Sequence, residues 1–248
     1  MSEQSDERRS TVNGCADSES EITDDAVVVI GGHPPDRRVL GELPARYRVI
    51  CADSGLDHAI RLGLSPDVVI GDMDSVDHSN LVRARDGACA IIEHPTDKDF
   101  TDTELALEYA SRSGFRHLTL VWGGGDRIDH VLGVMAALAH TRLEVFDSVR
   151  AWISADRIDV LRAGRSLIVD HDVDTTISLM TLGASDAVVT TRGLKWDLHE
   201  DVLTGDRARG VSNRVSRSPC SIHCDTGIVA VVSPGHLSDR SSTTRTIS

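Results

Sequence analysis

Two aspartates one residue apart, Asp72 and Asp74 in Gly71-Asp72-Met73-Asp74-Ser75, follow directly on the apolar run Val68-Val69-Ile70. The run has the length and β-branched composition of a short buried strand. If the backbone stays extended past the strand end, both carboxylates project to one side and Met73 to the other. Two hard oxygen ligands at the mouth of a sheet suit Mg²⁺, which keeps several waters and is shared between one or two carboxylates and substrate phosphates. A polar loop capping the next helix uses the same residues, so this pair alone does not decide between chemistry and structure.

Three more polar clusters stand behind apolar runs. Asp53-Ser54-Gly55 follows Tyr47–Cys51, and Asp97-Lys98-Asp99-Phe100-Thr101-Asp102 follows Ala90–Ile92. Gly123-Gly124-Gly125-Asp126-Arg127-Ile128-Asp129-His130 comes after Leu118–Trp122. Ligands of open α/β sheets bind outside the carboxyl ends of the strands, where all four clusters fall. Each alone is explained as a turn plus a helix cap; four in succession on one edge are not.

The glycine run lets backbone N–H groups approach a phosphate and leads into a helix N-terminus, a favourable place for anions. It is neither a Walker A loop, since no Lys-Ser/Thr follows, nor a dinucleotide fingerprint. Arg127 offers a planar fork for phosphate oxygens and Lys98 a second cation, although either also fits an ordinary surface charge. Asp102 sits inside the capping box Thr101-Asp-Thr-Glu104, and an acidic first-turn residue stabilises a helix without any chemistry; Asp129 has the same alternative. Together with Asp72 and Asp74 they crowd four carboxylates around one cleft, which is costly unless a divalent cation is present.

These loops need strands and helices to hold them. From Val27 to Phe146 short β-branched runs alternate with helical patterns, the last strand being read at Leu143–Phe146. Such units imply a mainly parallel open sheet with helices on both faces. After about residue 148 helical periodicity stops and short strand candidates follow: Trp152–Ser154, Asp159–Leu161, Ser166–Val169, Thr176–Met180, Ala187–Thr191 and Ile228–Val232. This predicts a C-terminal all-β domain of sandwich or barrel type. The expected organisation is a disordered acidic tail (1–24), an α/β domain (25–148), a β domain (149–237) and a disordered C-terminal tail (238–248).

A net charge of −13 over 248 residues disfavours a nucleic-acid partner. Aromatic residues make up 3% of the chain, so Val, Ile, Leu and Ala must build the core and each of the three tryptophans merits attention. Five scattered cysteines without a C-x-x-C pair fit a reducing cytoplasm better than a disulfide framework. Cys220-Ser-Ile-His223-Cys224 lacks a second ligand pair for zinc. No apolar run approaches a membrane span, and the N-terminus is polar with no signal-peptide core, so a cytoplasmic protein is expected.

The ordered motifs resemble one family. Ala52-Asp53-Ser54-Gly55, Ser65-Pro66-Asp67 with Gly71 to Ser75, Asp97-Lys98-Asp99 with Thr101 to Glu104, and Gly124 with Arg127, Asp129 and His130 are similar to successive motifs of thiamine pyrophosphokinase (thiamine diphosphokinase). Thr191-Arg192-Gly193-Leu194-Lys195-Trp196-Asp197-Leu198 and Gly210-Val211-Ser212-Asn213 extend the resemblance through the second domain, over about residues 27 to 233. Ser54 departs from a commoner glycine and Met73 from a usual Phe, both conservatively.

The resemblance implies transfer of the β,γ-diphosphate of ATP to the hydroxyl of thiamine, with release of AMP. It implies Mg²⁺ on Asp72, Asp74 and Asp102, and catalytic roles for these three with Arg127 and Asp129. ATP is expected at Asp53, Ser54, Gly55, Lys98, Gly123, Gly124 and Arg127. Asp129 is placed to orient Arg127, to bind metal or to take a proton, and the sequence does not choose. Trp196 reads as core from periodicity; by similarity it stacks on thiamine, with Ser212 and Asn213 in the same pocket. The family's pocket lies between two subunits, so a homodimer with shared active sites is implied. The alternatives are a diphosphokinase for another primary alcohol, such as a hydroxymethylpterin, and a catalytically degenerate thiamine- or nucleotide-binding sensor.

Overall fold

The computed structural model describes residues 23–125, 127–235 and 245–247. Its first half is built on six parallel strands: β1 (Asp25–Ile30), β2 (Arg48–Ala52), β3 (Val68–Gly71), β4 (Ala90–Glu93), β5 (His117–Trp122) and β6 (Ser148–Ile153). Their spatial order is β6-β5-β1-β2-β3-β4. Alternation along β1 divides the core in two. Ala26, Val28 and Ile30 pack with Ala106, Leu107 and Ala110 of α3 (Asp102–Arg112) and with Val134, Ala137 and Leu138 of α4 (Ile128–Ala139). Val27 and Val29 face the other way, onto Leu56, Ala59 and Leu62 of α1 (Gly55–Leu62) and Leu81 and Ala84 of α2 (His78–Asp86). A strand apolar on both faces requires helices on both faces, which is the expected architecture.

Strands β2, β3 and β4 succeed one another on one side of β1, whereas β5 lies on its other side. The connections therefore diverge between β1 and β5, and their carboxyl ends flank a crevice.

Leu143–Phe146, expected to be a strand, instead belongs to a 3-10 turn, Thr141–Val145, and its end. Leu143 and Phe146 are buried while Val145 is exposed. Burial at a spacing of three suits a helical turn and not a pleated strand. The His140 side chain accepts from the Arg142 N–H and fixes where the turn starts.

The sheet does not stop at the expected domain boundary. β6 pairs in parallel with β5, and β7 (Asp156–Arg162) turns back antiparallel on β6. β14 (Ile228–Pro234), β9 (Thr176–Thr181) and β12 (Asn213–Arg214) complete a ten-stranded sheet. A second, antiparallel sheet has the order β11-β10-β13-β8-β15, from β11 (Asp201–Leu203), β10 (Ala187–Arg192), β13 (Cys220–Thr226), β8 (Arg165–Val169) and β15 (Arg245–Ile247). Leu161, Ile177, Leu179, Val229 and Val231 of the large sheet pack against Leu167, Val169, Val189 and Ile222 of the small one, a sandwich core. Cys220 and Cys224 are buried in it, which pushes both thiols up to about 11. The expected acidic tail lies almost wholly outside the described residues. The expected C-terminal tail does so too, except for β15.

Helix α3 carries the reciprocal cap read from the sequence. The Thr101 hydroxyl accepts from the Glu104 N–H at 3.2 Å, and the Glu104 carboxylate accepts from the Thr101 N–H at 2.9 Å. Thr101→Ala is expected to cost about 1 kcal/mol of stability, measurable as a lower midpoint in denaturant unfolding with an unchanged slope.

Candidate active site

The clusters converge at the crevice. A cleft of about 380 Å³ is lined by Asp53, Ser54, Asp72, Asp74, Asp102 and Asp129, with Gly31, Gly32, Trp122 and His130 among the other walls. A larger cleft, about 640 Å³, lies near the opposite ends of the strands among Phe146, Val149, Val160 and Arg162. It holds none of the acidic cluster, so chemistry and not volume identifies the smaller one.

Asp72 and Asp74 meet by a route other than extended backbone. Met73 has φ 63, in the left-handed region, and its side chain packs against the apolar core beneath α1 and α2. The chain turns tightly there, and the Asp72 carboxylate accepts from the Asp74 N–H at 3.2 Å. A bulky residue held at positive φ stores strain of the kind found at functional sites. Gly71 makes room: a Cβ on it would stand 3.1 Å from the Asp53 Cβ and 3.2 Å from the Asp102 carboxyl carbon.

One carboxylate oxygen from each of Asp53, Asp72 and Asp74 lies within 4.8 Å of the others. Asp53 therefore joins this pair as a third carboxylate. Asp102 stands alongside, tied by the Lys98 ammonium, which lies 3.2 Å from both Asp72 and Asp102. Lys98 is raised because these two carboxylates outweigh the penalty of its burial. Asp72 is held low, first by the Asp74 N–H and then by Lys98. Asp53 goes the other way: burial raises it, and the charges of Asp102, Asp72 and Asp74 add to that. Its Oδ1 is buried without a hydrogen-bond partner. A buried carboxylate oxygen without a donor, next to two further carboxylates, fits a hard divalent cation.

Arg127 and Asp129 form an ion pair at the start of α4, 2.5 Å apart and both mostly exposed, and Arg127 holds Asp129 low. Gly55 begins α1, and Gly123 and Gly124 are buried in the loop after β5.

Trp196, Ser212 and Asn213 are not part of this cleft. Trp196 is 55% exposed, so it is not core. The loop beneath it is held by a set of hydrogen bonds. Buried Asn213 accepts from the Trp196 N–H at 3.1 Å and donates to its carbonyl at 2.8 Å. Asp197 accepts from the Leu194 N–H and the Thr191 hydroxyl, and the Lys195 N–H donates to the Arg214 carbonyl. The Lys195 ammonium lies 4.8 Å from the centre of the indole ring, already occupying a cation site on it. Ser212 is exposed at φ 61, and its N–H donates to the Ser178 hydroxyl. Asn213 thus positions the tryptophan loop.

Sequence reading missed Asp53 as a candidate cation ligand, and missed the Gly31-Gly32 loop. The signal for the latter was present, as a glycine pair directly after an apolar strand.

Fold and site define a class, an open α/β protein with a carboxylate cluster in the cleft at its switch point. The comparisons narrow it. Residues 43–152 match the model of the thiamin pyrophosphokinase catalytic domain, and residues 166–229 match that of the thiamin pyrophosphokinase vitamin B1 binding domain. The chain belongs to the thiamin pyrophosphokinase family. Thiamine pyrophosphokinase 1 of Oryza sativa subsp. japonica is 24% identical over 240 residues, covering 84% of this chain and 86% of that protein. Thiamine pyrophosphokinase of Bacillus subtilis is 24% identical over 183 residues, covering 74% and 85%. The crystal structure of the Bacillus subtilis enzyme superposes with a TM-score of 0.73 at 21% identity, covering 85% of this chain and 99% of that one. Thiamin pyrophosphokinase from Candida albicans gives 0.69 at 15% identity, covering 86% and 89%. The fold is shared with both.

Two outcomes follow from the geometry. Without divalent cations, Asp53→Asn is expected to unfold at a higher temperature than wild type at neutral pH. The raised Asp53 carboxyl favours the folded state when protonated, and that contribution is lost as pH rises through its folded value. The advantage should therefore shrink in acid, as thermal unfolding across pH will show. Trp196→Ala should leave stability within about 0.5 kcal/mol of wild type, checked by urea unfolding, because an exposed indole contributes little to the core.

Proposed function

We propose that this chain is a thiamine diphosphokinase that transfers the β,γ-diphosphate of ATP to the hydroxyl of thiamine, yielding thiamine diphosphate and AMP. The observation that carries the reading is the convergence of Asp53, Asp72 and Asp74 at the crevice of a chain whose second half matches a vitamin B1 binding domain.

In this reading the thiamine hydroxyl oxygen attacks the β-phosphorus of ATP in line. The new O–P bond forms as the bond to the α,β-bridging oxygen breaks, and AMP leaves with that oxygen. Lys98 and Arg127 hold phosphate oxygens, with Ser54 and the glycine loops at Gly55, Gly123 and Gly124 shaping the nucleotide side. Asp129 orients Arg127; held low by it, Asp129 is a poor base. Transfers of this type depend mainly on positioning and electrostatics, so the hydroxyl proton needs no dedicated base and passes to solvent water as the O–P bond forms. Mg²⁺ on Asp72 and Asp74, with Asp53 and with Asp102 alongside, would supply neutralisation of phosphate charge. Asp102 also keeps Lys98 in place.

Thiamine stacks on Trp196 in this reading, beside Ser212 and above the loop fixed by Asn213. Trp196 is not a wall of the acidic cleft of its own chain, which supports a homodimer in which each acidic cleft is completed by the partner's tryptophan loop. A cytoplasmic setting belongs to the same reading and is supported by the free cysteines Cys51, Cys89, Cys220 and Cys224. Among the described residues no helix is long and apolar enough to cross a membrane.

Mass spectrometry of products from ATP, Mg²⁺ and thiamine is the test, with thiamine diphosphate and AMP expected in equal amounts. ADP with thiamine monophosphate would show attack at the wrong phosphorus, and absence of thiamine-dependent AMP would sink the assignment. Asp72→Asn is expected to lower turnover by at least about 100-fold, with thiamine binding, followed by quenching of tryptophan fluorescence, retained.

A further inference from the structure

The loops leaving β1 and β5 are packed against each other more closely than side chains allow. The His33 N–H donates to the Gly124 carbonyl at 2.8 Å. A Cβ on Gly32 would stand 2.5 Å from both the Gly124 carbonyl oxygen and the Trp122 indole nitrogen, and one on Gly123 would stand 2.0 Å from the His33 carbonyl oxygen. Loops stripped of side chains at the contact have little with which to fix their own conformation. Groups on neighbouring elements add to the His33–Gly124 bond.

Two such groups are in place. On one side, His58 of α1 is 7% exposed with its Nε2 2.9 Å from the Gly32 carbonyl oxygen. A carbonyl only accepts, so Nε2 carries the proton. Nδ1 is then the bare nitrogen of a neutral ring, and it is buried without a hydrogen-bond partner. Burial pushes this imidazole below its ordinary value, which keeps it in the neutral donor form. Leu56, Ala59 and Leu62 supply the apolar packing of the same helix, and an apolar residue at position 58 would avoid a buried polar nitrogen altogether. The Gly32 carbonyl is the reason for a polar ring there. On the other side, Ser154 donates from its hydroxyl to the Gly123 carbonyl at 2.8 Å and from its N–H to the Trp122 carbonyl at 2.9 Å.

We propose that His58 is a positioning residue for the nucleotide, its Nε2–H holding the Gly31-Gly32 loop in the conformation that receives ATP, with Ser154 as the opposing clamp. This rests on the reading that ATP enters the crevice between β1 and β5.

The test is calorimetric titration of the full chain with Mg–ATP in the absence of thiamine, for wild type, His58→Leu, His58→Gln and Ser154→Ala. Glutamine offers an amide N–H at a reach close to that of Nε2. His58→Leu is expected to weaken Mg–ATP binding about tenfold and His58→Gln less than about threefold, the scale of one lost or retained buried hydrogen bond. Ser154→Ala should weaken it several-fold, and the KM for thiamine should stay at the wild-type value in all three. Wild-type affinity in His58→Leu, equal weakening by leucine and glutamine, or a matching rise in the KM for thiamine would each overturn the proposal. If the leucine variant does not fold, Ser154→Ala decides, and unchanged Mg–ATP affinity there overturns the clamp. Wild type that binds Mg–ATP yet makes no thiamine-dependent AMP would sink the proposed activity and leave the role of His58 standing; wild type that binds no Mg–ATP would sink both.

Discussion

Repulsion among carboxylates is the constraint around which this end of the molecule is arranged. Asp53, Asp72, Asp74 and Asp102 come from three loops, and nothing in their mutual charge favours bringing them together. The fold forces it. β2 and β3 are neighbours in the sheet, so the residues at their carboxyl ends are neighbours too, and the Asp53 N–H donates to the Ile70 carbonyl. Gly71 removes the side chain that would keep Asp53 and Asp102 apart, and the positive φ of Met73 turns Asp74 back toward Asp72. Lys98 offsets part of the repulsion, and a divalent cation is suited to offset the rest. The energy that holds this charge in place resides in the valine- and isoleucine-rich strands below it.

The ten-stranded sheet also explains how two chemically different halves act as one body. Because β6 continues the parallel sheet and β7 reverses from it, the sandwich begins by main-chain hydrogen bonding to the catalytic half and not by a linker. The tryptophan loop is therefore carried on strands tied to the same sheet system. Its Asp197 and Asn213 satisfy the main-chain groups of a tight turn, leaving the indole exposed at no cost in unpaired polar atoms. Precision in this molecule comes from buried polar side chains that hold backbone: Asn213 under Trp196 and His58 under Gly32.

Much of this was legible in residue order. Strands buried on both faces announce themselves as runs such as Val27–Ile30, and the Thr101–Glu104 cap is written in four letters. The departures share a cause. Leu143–Phe146 looked like a strand because four residues are too few to declare a period, and burial of Leu143 and Phe146 with Val145 outside reveals a helical turn. β11 and β12, of three and two residues, are too short to leave any pattern. The change of pattern near residue 148 was visible, but not that the sheet runs through it, because pairing between strands is a long-range property.

Sequence by itself determined the types of groups available, their order along the chain and the edge of the sheet on which they fall, since these follow from local periodicity and from which residues end each strand. It did not determine which carboxylates meet. That Asp53 joins Asp72 and Asp74 while Asp102 faces Lys98, that His58 reaches the Gly32 carbonyl and that Trp196 lies outside the core were decided only by tertiary structure. Each depends on the adjacency of segments distant in sequence, and distances of a few ångströms between such segments are set by packing.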